Sequence, residues 1–125
     1  MSQVVLLVDD NCKVRSALKQ TIEGLGLSVI EAVDGLDGLK KASESKVDIC
    51  LIDNKMPIMD GLTLIKNLLE DDRYAQCKIV LMTTVHCDDL VLEAKKLGIE
   101  QVLKKPIASD VLSELLKYPQ QQEIA

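Results

Sequence analysis

The chain has 125 residues, 47% of them hydrophobic and 28% charged, with a formal net charge of −5, which is the size and balance of one ordinary soluble domain rather than a disordered chain. Its acidity argues against nucleic-acid binding, since phosphate backbones recruit basic surfaces, and no apolar stretch approaches the roughly 20 residues that span a bilayer. Four scattered cysteines (Cys12, Cys50, Cys77, Cys87) without C-x-x-C spacing, beside a single His86, exclude a disulfide framework or a zinc site and predict free thiols in a reducing, cytoplasmic compartment.

Val4-Val5-Leu6-Leu7-Val8 predicts a buried strand, and Asp9-Asp10 interrupts it too early for a secretory signal. Val14, Ala17, Leu18, Thr21, Ile22 and Leu25 recur at helical intervals, and Gly24 and Gly26 close that helix. Leu27 to Ile30 predicts a second strand. Asp34-Gly35 opens a second helix with Leu36, Leu39 and Ala42 inward. The third strand, Asp48 to Ile52, ends at Asp53, and Met56-Pro57-Ile58-Met59-Asp60-Gly61 is a turn-rich loop.

A third helix carries Leu62, Ile65, Leu68 and Leu69 on its inner face, and a fourth strand, Ile79 to Met82, ends at Thr83. Asp88 is the expected N-cap of a fourth helix that buries Leu90, Ala94 and Leu97 and stops at Gly98. The last apolar run, Ile99 to Leu103, leads into Lys104-Lys105-Pro106. A final helix from Ala108 to Lys117 turns Val111, Leu112 and Leu115 inward. The tail from Pro119 to Ala125 lacks apolar periodicity and is expected to be loose, or the start of a linker.

Five strand–helix units in alternation imply a parallel sheet with helices on both faces. The flavodoxin-like order 2-1-3-4-5 suits five units, with its switch point between the first and third strands. Those two strands end in aspartate. Asp9, Asp10 and Asp53 therefore converge at one crevice, where like charges strain one another unless a cation relieves them. Hard oxygen ligands at an open site suit Mg²⁺, which binds through one or two carboxylates together with a substrate phosphate. An aspartate can itself attack phosphorus, with Mg²⁺, the Lys105 ammonium and the Thr83 hydroxyl each taking one phosphoryl oxygen.

Four pieces in order carry a family resemblance. They are Val8-Asp9-Asp10, Asp53-Asn54-Lys55-Met56-Pro57-Ile58-Met59-Asp60-Gly61, Thr83, and Lys105-Pro106. With this spacing the chain resembles a response regulator receiver domain of two-component signalling over residues 1–118, leaving 119–125 as the tail. The resemblance implies a phosphorylation-activated switch rather than an enzyme. A histidine kinase or phosphotransfer protein would be the donor, and an unidentified downstream protein or output domain the target. It makes Asp53 the phosphoacceptor and Asp10 the direct Mg²⁺ ligand, with Asp9 holding metal-bound water and the backbone carbonyl of Lys55 a further ligand. Thr83 is then the switch hydroxyl and Lys105 the counter-cation, with a cis Lys105-Pro106 bond.

Two positions depart from the usual residues of the family, and two more sit at its variable positions. Val102 stands where an aromatic residue usually follows the switch hydroxyl, so the signal is expected to travel through the loop after Thr83 and the fourth helix. Thr84 replaces a smaller residue. Val85 has no group to orient an attacking water, and Lys55 is placed to shield or pair with the phosphoryl group, so slow autodephosphorylation is expected. Two other readings stay open. One is an unphosphorylated interaction module. The other is a Mg²⁺-dependent phosphohydrolase with an aspartate nucleophile, which Lys55 disfavours because such enzymes place a second acid two residues after the first.

Overall fold

A computed structural model describes residues 3–117. Five strands, β1 (Val4–Val8), β2 (Ser28–Ala32), β3 (Ile49–Asp53), β4 (Lys78–Thr83) and β5 (Gln101–Lys104), alternate with five helices. These are α1 (Cys12–Gly24), α2 (Gly35–Glu44), α3 (Gly61–Leu68), α4 (Asp88–Lys96) and α5 (Ser109–Lys117). The strands are all parallel, in the order β2-β1-β3-β4-β5. The register sets Val8 beside Ala32 and Ile52, and Asp53 beside Met82. The central strands therefore finish level, and Asp9, Asp53 and Thr83 leave the sheet along one edge.

Strand alternation sorts the core into two layers. Leu6, Val8, Cys50, Ile52 and Leu81 pack with Ala42 of α2, Leu64, Ile65 and Leu68 of α3, and Ala94 of α4. Val5, Leu7, Ile49, Leu51, Val80 and Met82 pack with Leu18 and Ile22 of α1 and Leu112 and Leu116 of α5. Helices thus cover both faces, which is why β1 and β3 read as continuous apolar runs. Each fully buried Leu, Ile or Val contributes roughly 1.5–3 kcal/mol relative to an exposed one.

Local signals explain most helix ends. Asn11 caps α1 by accepting from the Lys13 and Val14 N–H groups, Asp34 caps α2 at Asp37, and Asp60 caps α3 at Thr63. Gly26 follows α1 with φ +89°, a left-handed turn that suits glycine.

Several sequence expectations need correction. Cys87, not Asp88, is the N-cap of α4 and makes no side-chain cap bond; Asp88 and Asp89 lie in the first turn, where carboxylates favour the positive helix end. β2 runs two residues further than expected and β5 begins later. A 3-10 helix at Asp72–Gln76 has no apolar period to announce it, yet it buries Tyr74, whose hydroxyl donates to the Ala42 carbonyl at 2.6 Å. Ala17, Leu25, Leu36 and Val111 are exposed. In α2 Leu39 and Ala42 pack against the core as expected, but Gly35 and Gly38 are buried in place of Leu36; a Cβ on Gly38 would sit 3.1 Å from Val8, so no larger residue fits there. Leu64 and Leu116 are buried where the sequence did not single them out. The expected tail, 119–125, lies outside the described residues.

Candidate phosphoryl and metal site

Asp9 follows β1 and is fully buried, with its polar atoms individually engaged. Its N–H donates to the Ala32 carbonyl at 3.2 Å, and its Oδ1 accepts from the Asn11 N–H at 2.9 Å. Its Oδ2 accepts from the Lys105 ammonium at 2.8 Å. The same ammonium reaches Asp53 Oδ1 at 3.3 Å, so one cation bridges the ends of β1 and β3. Asp10 is exposed at the mouth. Asp9, Asp10 and Asp53 each offer an oxygen, all within 4.8 Å of one another.

Three carboxylates against one ammonium leave the cluster with an excess of negative charge. Burial, followed by the Asp9 charge, pushes the Asp53 carboxyl above the usual carboxylate range, although Lys105 pulls the other way. Burial pulls the Lys105 ammonium down, but hydrogen bonding to Asp9 and the charges of Asp9 and Asp53 outweigh it and leave its pKa raised. The crevice thus holds a carboxylate whose charge is only partly compensated, set in a cradle of hard oxygen donors. This donor set fits Mg²⁺ and offers neither sulfur nor imidazole.

Backbone close to Asp53 is tightly packed. The Asn54 N–H continues the β4 ladder to the Met82 carbonyl at 2.8 Å, and the Gly61 N–H returns to the Asn54 carbonyl at 2.9 Å. A Cβ on Gly61 would lie 2.7 Å from the Asp53 carbonyl oxygen and 2.8 Å from Asn54 Cα, so only glycine lets α3 start directly against the end of β3.

Thr83 is buried at the end of β4. Its hydroxyl donates to the Val85 carbonyl at 2.9 Å and accepts from the Val85 N–H at 3.1 Å, turning toward its own loop. Lys105 donates its backbone N–H to the Thr83 carbonyl at 2.7 Å, and the Lys105-Pro106 peptide is cis. A cavity of about 310 Å³ beside the site is lined by Lys55, Thr83, Thr84, Val85, Cys87 and Asp60, among others. Lys55 and Val85 are both exposed there. Lys104, adjacent to the bridging Lys105, points to solvent, as do His86 and Cys12. Val102 is half-buried against the core.

Arg15 is the site residue that sequence reasoning missed. Its guanidinium donates to the Asp9 carbonyl at 2.7 Å and to Glu31 at 3.1 Å, and Lys19 also pairs with Glu31 at 3.2 Å. The available signal was the pair Arg15 and Lys19, one turn apart on a helix beginning just after the acidic pair. Its meaning depended on Glu31, which only the β1–β2 pairing brings near.

The aspartates, hydroxyl and bridging lysine occupy the ends of consecutive sheet positions, and the model of the response regulator receiver domain matches residues 5–117. The chain belongs to that family. Receiver domains of two-component response regulators are phosphorylation-activated switches, and this one is similar to known members along nearly its whole length. It is 32% identical to chemotaxis protein CheY1 of Helicobacter pylori, over 90% of this chain and 93% of that one. It is 37% identical to chemotaxis protein CheY of Treponema pallidum, over 82% of this receiver and 72% of the relative. Among solved structures, chemotaxis protein CheY4 of Vibrio cholerae superposes with a TM-score of 0.89 at 29% identity, covering 94% of this chain and 98% of that one. Among the described residues, no helix is long and apolar enough to cross a membrane.

Proposed function

We propose that Asp53 is the phosphoacceptor of this receiver, and that a histidine kinase or histidine phosphotransfer protein is its donor. The reading is carried by one observation: the buried Asp53 carboxylate shares the Lys105 ammonium with Asp9 inside a three-carboxylate cluster. An Asp53 oxygen attacks the phosphorus of a phosphohistidine; the O–P bond forms, the P–N bond breaks, and the imidazole leaves with the electron pair. Lys105, already within 3.3 Å of Asp53, neutralises charge on one phosphoryl oxygen. Asp9, Asp10, Asp53 and the Lys55 backbone carbonyl would hold Mg²⁺, which supplies charge neutralisation to the phosphoryl group when bound.

Thr83 turns the local event into a signal. Its hydroxyl hydrogen can serve the Val85 carbonyl or a phosphoryl oxygen, but not both. Rotation toward Asp53 therefore releases the β4–α4 loop and resets the start of α4, which lacks a side-chain cap to hold it. The half-buried Val102 has no ring to swing, so this loop is the relay. Phosphorylation biases such a loop by adding charge and strong acceptors. The domain spans residues 1–118 and acts as a cytoplasmic binding switch, not as a turnover enzyme.

Incubation with Mg²⁺ and acetyl phosphate, followed by intact-mass measurement, tests the assignment. Stoichiometric phosphoryl gain, lost in Asp53→Asn, is expected. Continuous release of phosphate from simple esters would favour a phosphohydrolase, and absence of labelling under all conditions would favour an unphosphorylated interaction module. Lys55 and Val85 line the cavity beside the acceptor, so the aspartyl phosphate should decay slowly and Lys55→Ala should hasten it. A fast native decay left unchanged by that substitution would overturn this part.

A further inference from the structure

At the opposite end of β3 from the acidic crevice, the structure brings together two thiols that lie 27 residues apart. Cys50 is fully buried within β3, and Cys77 is half-buried where the 3-10 helix hands over to β4. Their sulfurs are 3.6 Å apart, at van der Waals contact. Cys50 pairs with Ile79 across the ladder, and Cys77 precedes Ile79 by two residues, so strand alternation points both side chains to the α3 face. The wall around them is apolar, with Tyr74 spent on the Ala42 carbonyl. Cys12 and Cys87, by contrast, are exposed.

We propose that Cys50 and Cys77 are a redox-convertible pair that closes to an intramolecular disulfide when the protein meets a low-molecular-weight disulfide. A disulfide needs about 2.05 Å between sulfurs, so the pair must approach by roughly 1.5 Å. Cys77 can supply that movement, because it lies outside the ladder, at the cap of a short 3-10 helix. The contact with Cys77, followed by burial, pushes the Cys50 thiol well up, and Cys77, the more accessible of the two, is the entry point. Its thiolate attacks the small disulfide, forming a mixed disulfide and releasing one thiolate. That thiolate takes the Cys50 proton. Cys50 sulfur then attacks Cys77 sulfur and expels the second small thiolate; two protein thiols are oxidised and one small disulfide is reduced to two thiols. The bridge would tie β3 to β4 and enclose the acceptor loop and α3, shrinking the unfolded ensemble.

The test treats the native chain, and a Cys12→Ser/Cys87→Ser chain free of surface thiols, with oxidised glutathione. The double variant should lose the mass of two hydrogen atoms and retain no glutathione, and peptide mapping of the native chain should recover a Cys50–Cys77 crosslink. The oxidised double variant should melt higher than its reduced form by on the order of 10 °C. Cys77→Ser should abolish both effects without unfolding the chain. A stable glutathione adduct on Cys77, or no reaction at either thiol while the chain stays folded, would overturn the proposal.

Discussion

Two acidic clusters of this receiver solve the same electrostatic problem differently. At the β2 edge, Glu31 meets Arg15 and Lys19, and Asp37 meets Lys41 at 3.3 Å. Hydrogen bonding from Lys19, opposed by slight burial and aided by Arg15, holds the Glu31 carboxyl below its usual range. The Val33 N–H does the same for Asp37, with help from Lys41. At the crevice, Asp9 and Asp53 share the Lys105 ammonium with Asp10 close by, and Asp53 is pushed up instead. The edge cluster is balanced within the protein. The crevice keeps a deficit of positive charge, which under the proposed function a metal ion and, after phosphorylation, Lys105 would address. The difference separates a structural ion-pair network from a site prepared for chemistry.

The largest effect should come from removing the cation that bridges Asp9 and Asp53. Lys105→Met strands Asp9 and Asp53 in a buried pocket, and without divalent metal it should cost about 3 kcal/mol of stability in urea unfolding, as broken buried pairs do. Labelling by acetyl phosphate should slow by at least tenfold. If stability and labelling both survive, Lys105 is not what compensates the cluster.

Gly61→Ala comes next. Its new methyl meets backbone, not a flexible side chain, so α3 must shift against Asp53, at about 1–3 kcal/mol. A neutral result in thermal melts would show that the acceptor loop yields easily.

Asp53→Asn should stabilise the metal-free chain at neutral pH, since a group whose native pKa is raised opposes folding when ionised. The sign sets the pH window. Below the unfolded carboxylate pKa the native and variant chains should be alike in this respect. The advantage of the variant should grow as pH rises through the higher native pKa of Asp53, then level off. Glu31 and Asp37 act oppositely: their contribution is present above the unfolded pKa and lost as pH falls through their lowered native values. Melting the two chains in chelator across this range reads the difference directly, and Mg²⁺ should shrink it. An advantage that falls with rising pH would reverse the comparison.

The smallest change in stability is expected at the edge. Glu31→Gln removes half-exposed pairs with Arg15 and Lys19, and should cost below about 1 kcal/mol, less in high salt. Arg15→Ala also removes the 2.7 Å bond to the Asp9 carbonyl. It should therefore raise the Mg²⁺ concentration needed to stabilise the fold in thermal melts by several-fold, while Glu31→Gln does so weakly. Equal effects of the two substitutions would show that Arg15 matters only through its salt bridge.

The strand order and the pairing of chemistry with strand ends were legible because each buried run stopped at a side chain no core would keep. Asp9, Asp53 and Thr83 advertise themselves by interrupting apolar sequence, and Lys105 by the proline that follows it. Helix faces were legible less well. Leu36 is exposed and Gly38 buried because the distance between α2 and the sheet, not residue hydrophobicity, decides which side of that helix faces in. The N-cap of α4 was misplaced at Asp88 since an acidic residue favours both the cap and the first turn, and composition does not distinguish them.

By itself, the sequence determined a five-unit parallel sheet and singled out the carboxylates, hydroxyl and lysine at its strand ends, because those depend on local periodicity and on residue type. Tertiary structure decided how the groups are joined. Only strand pairing brings Lys105 to both Asp9 and Asp53, sets Arg15 and Glu31 behind the Asp9 carbonyl, and puts Cys50 against Cys77. The contacts of Lys105 with Asp9 and Asp53, of Arg15 with Glu31 and of Cys50 with Cys77 join side chains far apart in the chain, where neither helical nor strand period carries information.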